Sequence, residues 1–281
     1  MTLKEWRHFV EKALAAAEFE NVSQEAKWLI AGALEKESFF LTLHPTYTPS
    51  PSEDAQIREW LQKRLQGEPL SRLKGVREFW SLPFHLNEHT LDPRPDTEVI
   101  IEGVLKWVGP RENNPWRILD LGTGSGCLLI ALLHELPSST GMGVDIKEEA
   151  LSMAKSNAIL NAVEDRAHFH QSNWAEGLQG PFDIIVSNPP YIPLKDKKTL
   201  DKGVLLYDPP EALFGGEDGL VCYRILSQEI KPLLSPQGIV VLEIGKDQGK
   251  DVETIFQKTG FSVHFILKDL AGINRVLGFK L

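Results

Sequence analysis

Arg117-Ile-Leu-Asp-Leu-Gly122-Thr-Gly124-Ser-Gly126-Cys-Leu-Leu-Ile-Ala-Leu-Leu133 is the stretch that decides the fold. Residues 117–121 have strand character, three glycines follow, and an apolar helical run starts at once. Glycines let the chain turn tightly and bring backbone close to a ligand. A dinucleotide loop reads G-x-G-x-x-G and aims a helix N-terminus at a pyrophosphate. Here the third glycine comes one residue early, and Asp120 sets a negative charge beside the loop. That charge suits a cation better than a phosphate. Such a loop would also serve as a bare strand-to-helix turn, so its surroundings decide.

Downstream, residues 141–145, 167–170, 182–187 and 238–244 read as strands, with helices at 148–161 and 220–233. A helix over 248–259 leads to two last strands at 262–267 and 275–279. Strands alternating with helices imply an α/β fold, a parallel sheet covered on both faces. Asp145 ends the strand 141–145, where an acid accepts hydrogen bonds from ribose hydroxyls in sheets of this type. An Asp there could instead cap the next helix. Loop and acid together favour a nucleoside cofactor. S-adenosylmethionine carries a sulfonium and an ammonium and no phosphate.

Asn188-Pro189-Pro190-Tyr191 follows the apolar strand 182–187 and so lies at its carboxyl end, where open α/β sheets bind ligands. The two prolines remove N–H donors and leave carbonyls free to accept. This composition suits a planar amide nitrogen, a poor nucleophile with two hydrogens. The Asn188 side-chain oxygen and the Pro189 carbonyl would accept one hydrogen each, aiming the lone pair at a methyl group and stabilising developing positive charge. Tyr191 would pack its ring on the amide. No strong base is needed, because an N-protonated amide is very acidic, and no catalytic His is nominated. The segment 193–219 is long and irregular, a pattern of functional loops.

Upstream, residues 1–75 read as a helical bundle. Trp6, Phe9, Val10, Ala13, Leu14 and Ala17 recur at helical spacing, and Ser23 is the expected N-cap of a second helix with Ala26, Leu29, Ile30 and Ala33 inward. A third helix starts near Ser52 and stops at Gly67. Residues 76–93 read as a linker with two short strands around Pro83, and Asp92-Pro-Arg-Pro-Asp-Thr-Glu98 is a rigid turn into a helix over 96–107. The catalytic domain is then 94–281.

The net charge of −9 argues against a phosphate-gripping nucleic-acid protein. The N-terminal residues lack the apolar core of a signal peptide, and no apolar run is long enough for a membrane span. Cys127 and Cys222 have no metal-ligand spacing, so neither a metal nor a disulfide framework is expected, and the location read is cytoplasmic.

These residues resemble the HemK/PrmC family, the bacterial peptide-chain release factor glutamine N5-methyltransferases. The pieces that carry the likeness are Gly67-Glu-Pro69, Gly75-Val-Arg-Glu-Phe79, Pro93-Arg-Pro-Asp-Thr-Glu98, the loop 120–126, Asp145, Ser187-Asn-Pro-Pro-Tyr-Ile192, Tyr207-Asp-Pro-Pro-Glu-Ala-Leu213 and Leu242-Glu-Ile-Gly245. The resemblance implies a five-helix-like bundle that recognises the substrate protein, a β-hairpin linker and a Rossmann-like, seven-stranded class I methyltransferase domain. It implies S-adenosyl-L-methionine as cofactor, S-adenosyl-L-homocysteine as product, and as substrate the glutamine of the Gly-Gly-Gln motif in class 1 release factors. Gly122, Thr123, Gly124, Ser125, Gly126, Asp145, Trp174 and Asn188 would contact the cofactor, with Trp174 near the adenine. Asn188, Pro189, Pro190 and Tyr191 would hold the glutamine. A monomer without direct nucleic-acid or membrane binding is expected. Asn173 stands where the family pattern has an acid. The competing readings are N6-adenine methylation of nucleic acid, glutamine methylation of a ribosomal protein, and a cofactor-binding module without activity.

Overall fold

The computed structural model describes residues 1–281. The chain forms two compact units: residues 1–75 with 202–207, and residues 76–201 with 208–281.

In the first unit, α1 (Leu3–Ala16), α2 (Val22–Ala33), α3 (Phe40–Leu43), α4 (Pro51–Leu65) and α5 (Leu70–Lys74) make up the helical part. Two starts use capping boxes: Thr2 pairs with Glu5 ahead of α1, and Ser50 with Glu53 ahead of α4. The start of α2 differs from the expectation. Asn21 is its N-cap, in the left-handed region at φ +50°, and Ser23 lies inside the first turn. Asn tolerates that region, so the chain turns two residues early. The Ser23 hydroxyl is free to accept from the Arg7 guanidinium at 2.8 Å. Trp6, Val10 and Leu14 meet Leu29, Ile30, Ile57 and Leu61 in one core, while Phe9 and Ala17 of the predicted repeat face outward.

The second unit opens with β1 (Val76–Phe79) and β2 (Leu82–His85), an antiparallel hairpin. Its turn is Trp80-Ser81, at φ +53° and +59°, and Pro83 sits within β2 opposite Glu78. Pro83 was the expected pivot. The turn lies elsewhere because Glu98 accepts the Trp80 N–H at 2.8 Å and Glu135 accepts the Trp80 indole N–H at 2.8 Å, holding a strained turn without glycine.

There follow α6 (Glu98–Val108), β3 (Arg117–Leu121), α7 (Cys127–Glu135), β4 (Thr140–Asp145), α8 (Glu148–Leu160), β5 (Ala167–Gln171) and β6 (Phe182–Ser187). Then come α9 (Lys202–Tyr207), which belongs to the first unit, α10 (Pro210–Leu213), α11 (Val221–Glu229), β7 (Leu234–Glu243), α12 (Gly249–Lys258), β8 (Ser262–Lys268) and β9 (Asn274–Lys280). Helix α11 stops at Glu229, short of the expected 233. Pro232 has no N–H to continue the ladder, and residues 231–233 tighten into a 3-10 turn.

The seven strands lie in the order β5-β4-β3-β6-β7-β9-β8. β5 to β7 are parallel, and β9 runs antiparallel to both its neighbours. Side chains alternate between two cores. Ile118, Ile184, Val186, Ile239 and Val241 face α6, α7 and the hairpin. Leu119, Leu121, Ile185, Val240 and Leu242 face α11 and α12.

Asn157 of α8 is fully buried and stitches the hairpin to the glycine loop. Its amide donates to the carbonyls of His85 (3.0 Å) and Ser125 (2.9 Å), and its oxygen accepts the His85 N–H at 2.8 Å. Replacing it by Leu strands three backbone groups in the interior. We expect Asn157→Leu to lower the unfolding free energy by about 2–4 kcal/mol in urea denaturation, since each orphaned buried group costs roughly 1–3 kcal/mol. An unchanged midpoint would show that the clasp adds nothing.

Candidate active site

The site forms where β3, β4 and β6 end side by side. Asp120 pairs in register with Gly143 of β4 and Val186 of β6, so the residues just beyond all three strands emerge together. The N–H groups of Gly122 and Thr123 both donate to the Val144 carbonyl at 2.9 Å, which folds the loop back over β4. Gly122 and Gly124 take φ of +73° and +54°, a region costly for other residues. Asp145 braces the loop from β4: one carboxylate oxygen accepts the Gly124 N–H at 2.9 Å, the other the Lys147 N–H at 3.0 Å.

A cavity of about 670 Å³ opens above this loop, within the usual range for small-molecule sites. Gly122, Thr123, Gly124, Ser125, Asp145, Trp174 and Asn188 all line it, as do Asn173 and Pro190. Three other predicted residues do not reach its wall. Gly126 faces the helices: a Cβ there would lie 3.0 Å from Ile130 and 3.1 Å from Ala154. Pro189 is buried, and Tyr191 turns its hydroxyl to Glu243. The predicted irregular segment contributes Pro209, Pro210, Ala212 and Phe214 to the lining. It is anchored to the strand-exit turn, with Ile192 donating to the Leu213 carbonyl and Gly215 to the Ile192 carbonyl, both at 3.0 Å.

Two residues quoted in the sequence without a role prove central. Thr97, in the turn before α6, donates its hydroxyl to Glu243 at 2.6 Å and accepts from the Asn188 side-chain amide at 3.0 Å. Glu243 ends β7, is 1% exposed, and also accepts from the Tyr191 hydroxyl at 3.1 Å. Burial pushes its carboxyl up to about 7 against the pull of Thr97 and Arg275. The sequence signal was there: an acid in the otherwise apolar run Ile239-Val-Val-Leu-Glu-Ile244.

Asp120 is the second buried acid. Burial lifts its carboxyl to about 7, although the Thr123 hydroxyl donates to it at 2.6 Å. Its other oxygen, Oδ1, has no hydrogen-bond partner. Burial also raises the two cavity thiols, Cys127 to about 12 and Cys222 to about 11. Neither supplies a thiolate nucleophile near neutral pH.

A seven-stranded sheet in this order, reversed only at β9, is the class I methyltransferase fold, whose methyl donor is S-adenosylmethionine. A methyltransferase from Pyrococcus furiosus shares it, with a TM-score of 0.54 at 20% identity over 78% of this chain and 96% of that one. Residues 108–224 match the methyltransferase small domain, and residues 5–75 match the PrmC N-terminal domain. Among curated relatives, the release factor glutamine methyltransferase of Agrobacterium fabrum is 41% identical, covering 96% of this chain and 94% of its own. That of Bradyrhizobium diazoefficiens is 38% identical over 98% and 93%. The chain belongs to the release factor glutamine methyltransferase family. No helix is long and apolar enough to cross a membrane.

The buried Asp120 ties stability to pH. Its folded pKa is raised to about 7, whereas the unfolded chain titrates near 4. Proton binding therefore favours the fold at low pH, and that gain is lost as pH rises through about 7. Asp120→Asn keeps the shape and needs no proton. Without ligand, its thermal midpoint should rise relative to wild type between pH 5.5 and pH 8. A difference that stays flat across this range would contradict the assignment.

Proposed function

We propose that this protein methylates the N5 amide of the glutamine in the Gly-Gly-Gln motif of class 1 release factors, with S-adenosylmethionine bound in the cavity over the glycine loop. The residues fit that cofactor. Asp145 uses two of its lone-pair sites on backbone N–H groups, which fixes the carboxylate and leaves sites for two ribose hydroxyls. Trp174 supplies an aromatic wall for a base, beside Asn173. Gly122 to Ser125 give an uncharged backbone cradle, and the buried Asp120 beside it gives the only nearby negative charge on β3. That environment favours a cation over a phosphate.

When bound, the cofactor supplies a methyl group on a sulfonium, an alkylating centre that needs no metal or base. The protein's part is to hold the amide. One observation carries the reading. Asn188 lines the cavity while its amide nitrogen is committed to Thr97, so its oxygen is the end left for a substrate. That oxygen accepts one hydrogen of the glutamine amide, and the backbone carbonyl of Pro189, between the cavity-lining Asn188 and Pro190, is the proposed acceptor for the other. The nitrogen lone pair is then directed out of the amide plane, and positive charge growing on nitrogen meets two fixed dipoles. Pro190 has no N–H to compete for those acceptors. Holding both reactants in line supplies much of the rate gain in a displacement of this kind. Residues 1–75 recognise the release factor, residues 76–93 link, and residues 94–281 catalyse, in a cytoplasmic monomer that does not bind nucleic acid directly.

The test uses radiolabelled cofactor, a class 1 release factor, and the same factor with its motif glutamine changed. Label should enter the first and not the second; equal labelling of both excludes the reading. Asn188→Ala should lower turnover by about 10²–10³-fold with the fold intact by circular dichroism. Near-normal turnover would remove Asn188 from its role.

A further inference from the structure

Glu243 sits at the end of β7, behind the cavity rather than in it. Its two carboxylate oxygens receive two hydroxyls, Thr97 at 2.6 Å and Tyr191 at 3.1 Å. Each hydroxyl leads to one end of the tetrapeptide Asn188-Pro-Pro-Tyr191. Alternation on the sheet explains how this is built. Val186 and Val241 point into the same core, and stepping two residues along each strand puts Asn188 and Glu243 on that same face. Thr97, at the start of α6, lies over it.

The direction of these hydrogen bonds has a consequence. In its ionised form, above about pH 7, the Glu243 carboxylate only accepts, and a hydroxyl has a single hydrogen. With that hydrogen given to Glu243, Thr97 offers Asn188 only a lone pair. Asn188 must then present its NH₂ to Thr97 and its oxygen to the other side. The reverse orientation would set two NH₂ groups against each other at the substrate, leaving only the Pro189 carbonyl to accept a glutamine hydrogen. We infer that Glu243, acting through the Thr97 hydroxyl, is a positioning residue that fixes which end of the Asn188 carboxamide faces the substrate. This rests on the reading that Asn188 receives the glutamine amide.

A glutamine at 243 has nearly the same shape but one donor end. If that end meets Thr97, the hydroxyl turns round and Asn188 flips. If it meets Tyr191, the phenol loses its acceptor. The polarity is then no longer single-valued. Thr97→Val removes the relay outright at equal size, and Thr97→Ser preserves it.

Two measurements test the idea together. In ¹⁵N-labelled protein without substrate, the side-chain amide pair that vanishes in Asn188→Ala identifies Asn188. Its hydrogen exchange should be slow in wild type and in Thr97→Ser, and at least tenfold faster in Thr97→Val. In single-turnover methylation of the release factor, Glu243→Gln and Thr97→Val should lose about 10–100-fold in rate. The cofactor Kd by calorimetry and the KM for the release factor should stay within threefold, and Thr97→Ser should stay near wild type. Each loss should largely vanish in an Asn188→Ala background, because the residues act as one unit. Exchange at Asn188 that ignores Thr97→Val, or rate losses that multiply with Asn188→Ala, would overturn the inference. A wild-type enzyme that exchanges as expected but leaves the release factor unlabelled would instead sink the substrate reading alone.

Discussion

The parallel register of β3 with β4 and β6 is the constraint on which everything else depends. Leu121 lies opposite Val144, and Asp120 opposite both Gly143 and Val186. Because the pairing is unshifted through these residues, the glycine loop, Asp145 and Asn188 leave the sheet at one level. A slip of one residue would turn every side chain to the opposite core and bury the site's polar groups among leucines. The register is protected by close packing. A Cβ on Gly143 would fall 2.8 Å from the Thr123 hydroxyl and 2.9 Å from Phe169, so β4 can approach the loop only as glycine.

On this frame the protein places two acids inside one face of the sheet. Asp120 and Glu243 both lie beneath the cavity, both are almost fully buried, and burial raises both to about 7. Each is anchored by a threonine hydroxyl at 2.6 Å, Thr123 for Asp120 and Thr97 for Glu243. Short hydrogen bonds to a carboxylate are strong in a low-dielectric interior, and they are directional. Neither acid lines the cavity, whereas the threonine bonded to each one does.

Most of the second unit was legible because its signals are local. Buried parallel strands read as continuous apolar runs, and the glycines at 122, 124 and 126 punctuate the first of them. The carboxyl-end positions of Asp145 and Asn188 followed from that alternation. What was not legible depends on partners far along the chain. Pro83 is the stronger turn signal, yet the hairpin turns at Trp80-Ser81 because Glu98 and Glu135 hold it there. Asn21 begins α2 through a left-handed backbone that no side-chain cap announces. Glu243 appears in the sequence as an acid in an apolar strand, but its bond to Thr97 spans 146 positions. The bond from the Tyr191 hydroxyl to Glu243, 52 positions further on, was equally invisible in the local sequence.

The Glu243 carboxylate also bears on what this fold can become. A central strand built for endurance alone would carry valine or leucine at that position, as it does at 240, 241 and 242, and would be firmer for it. On the positioning role inferred for Glu243, selection for heat resistance should press on this strand and find its one acid immovable. Hardening of the enzyme must come from the helices and loops around the sheet, leaving a soft polar seam through the middle as the signature of its chemistry.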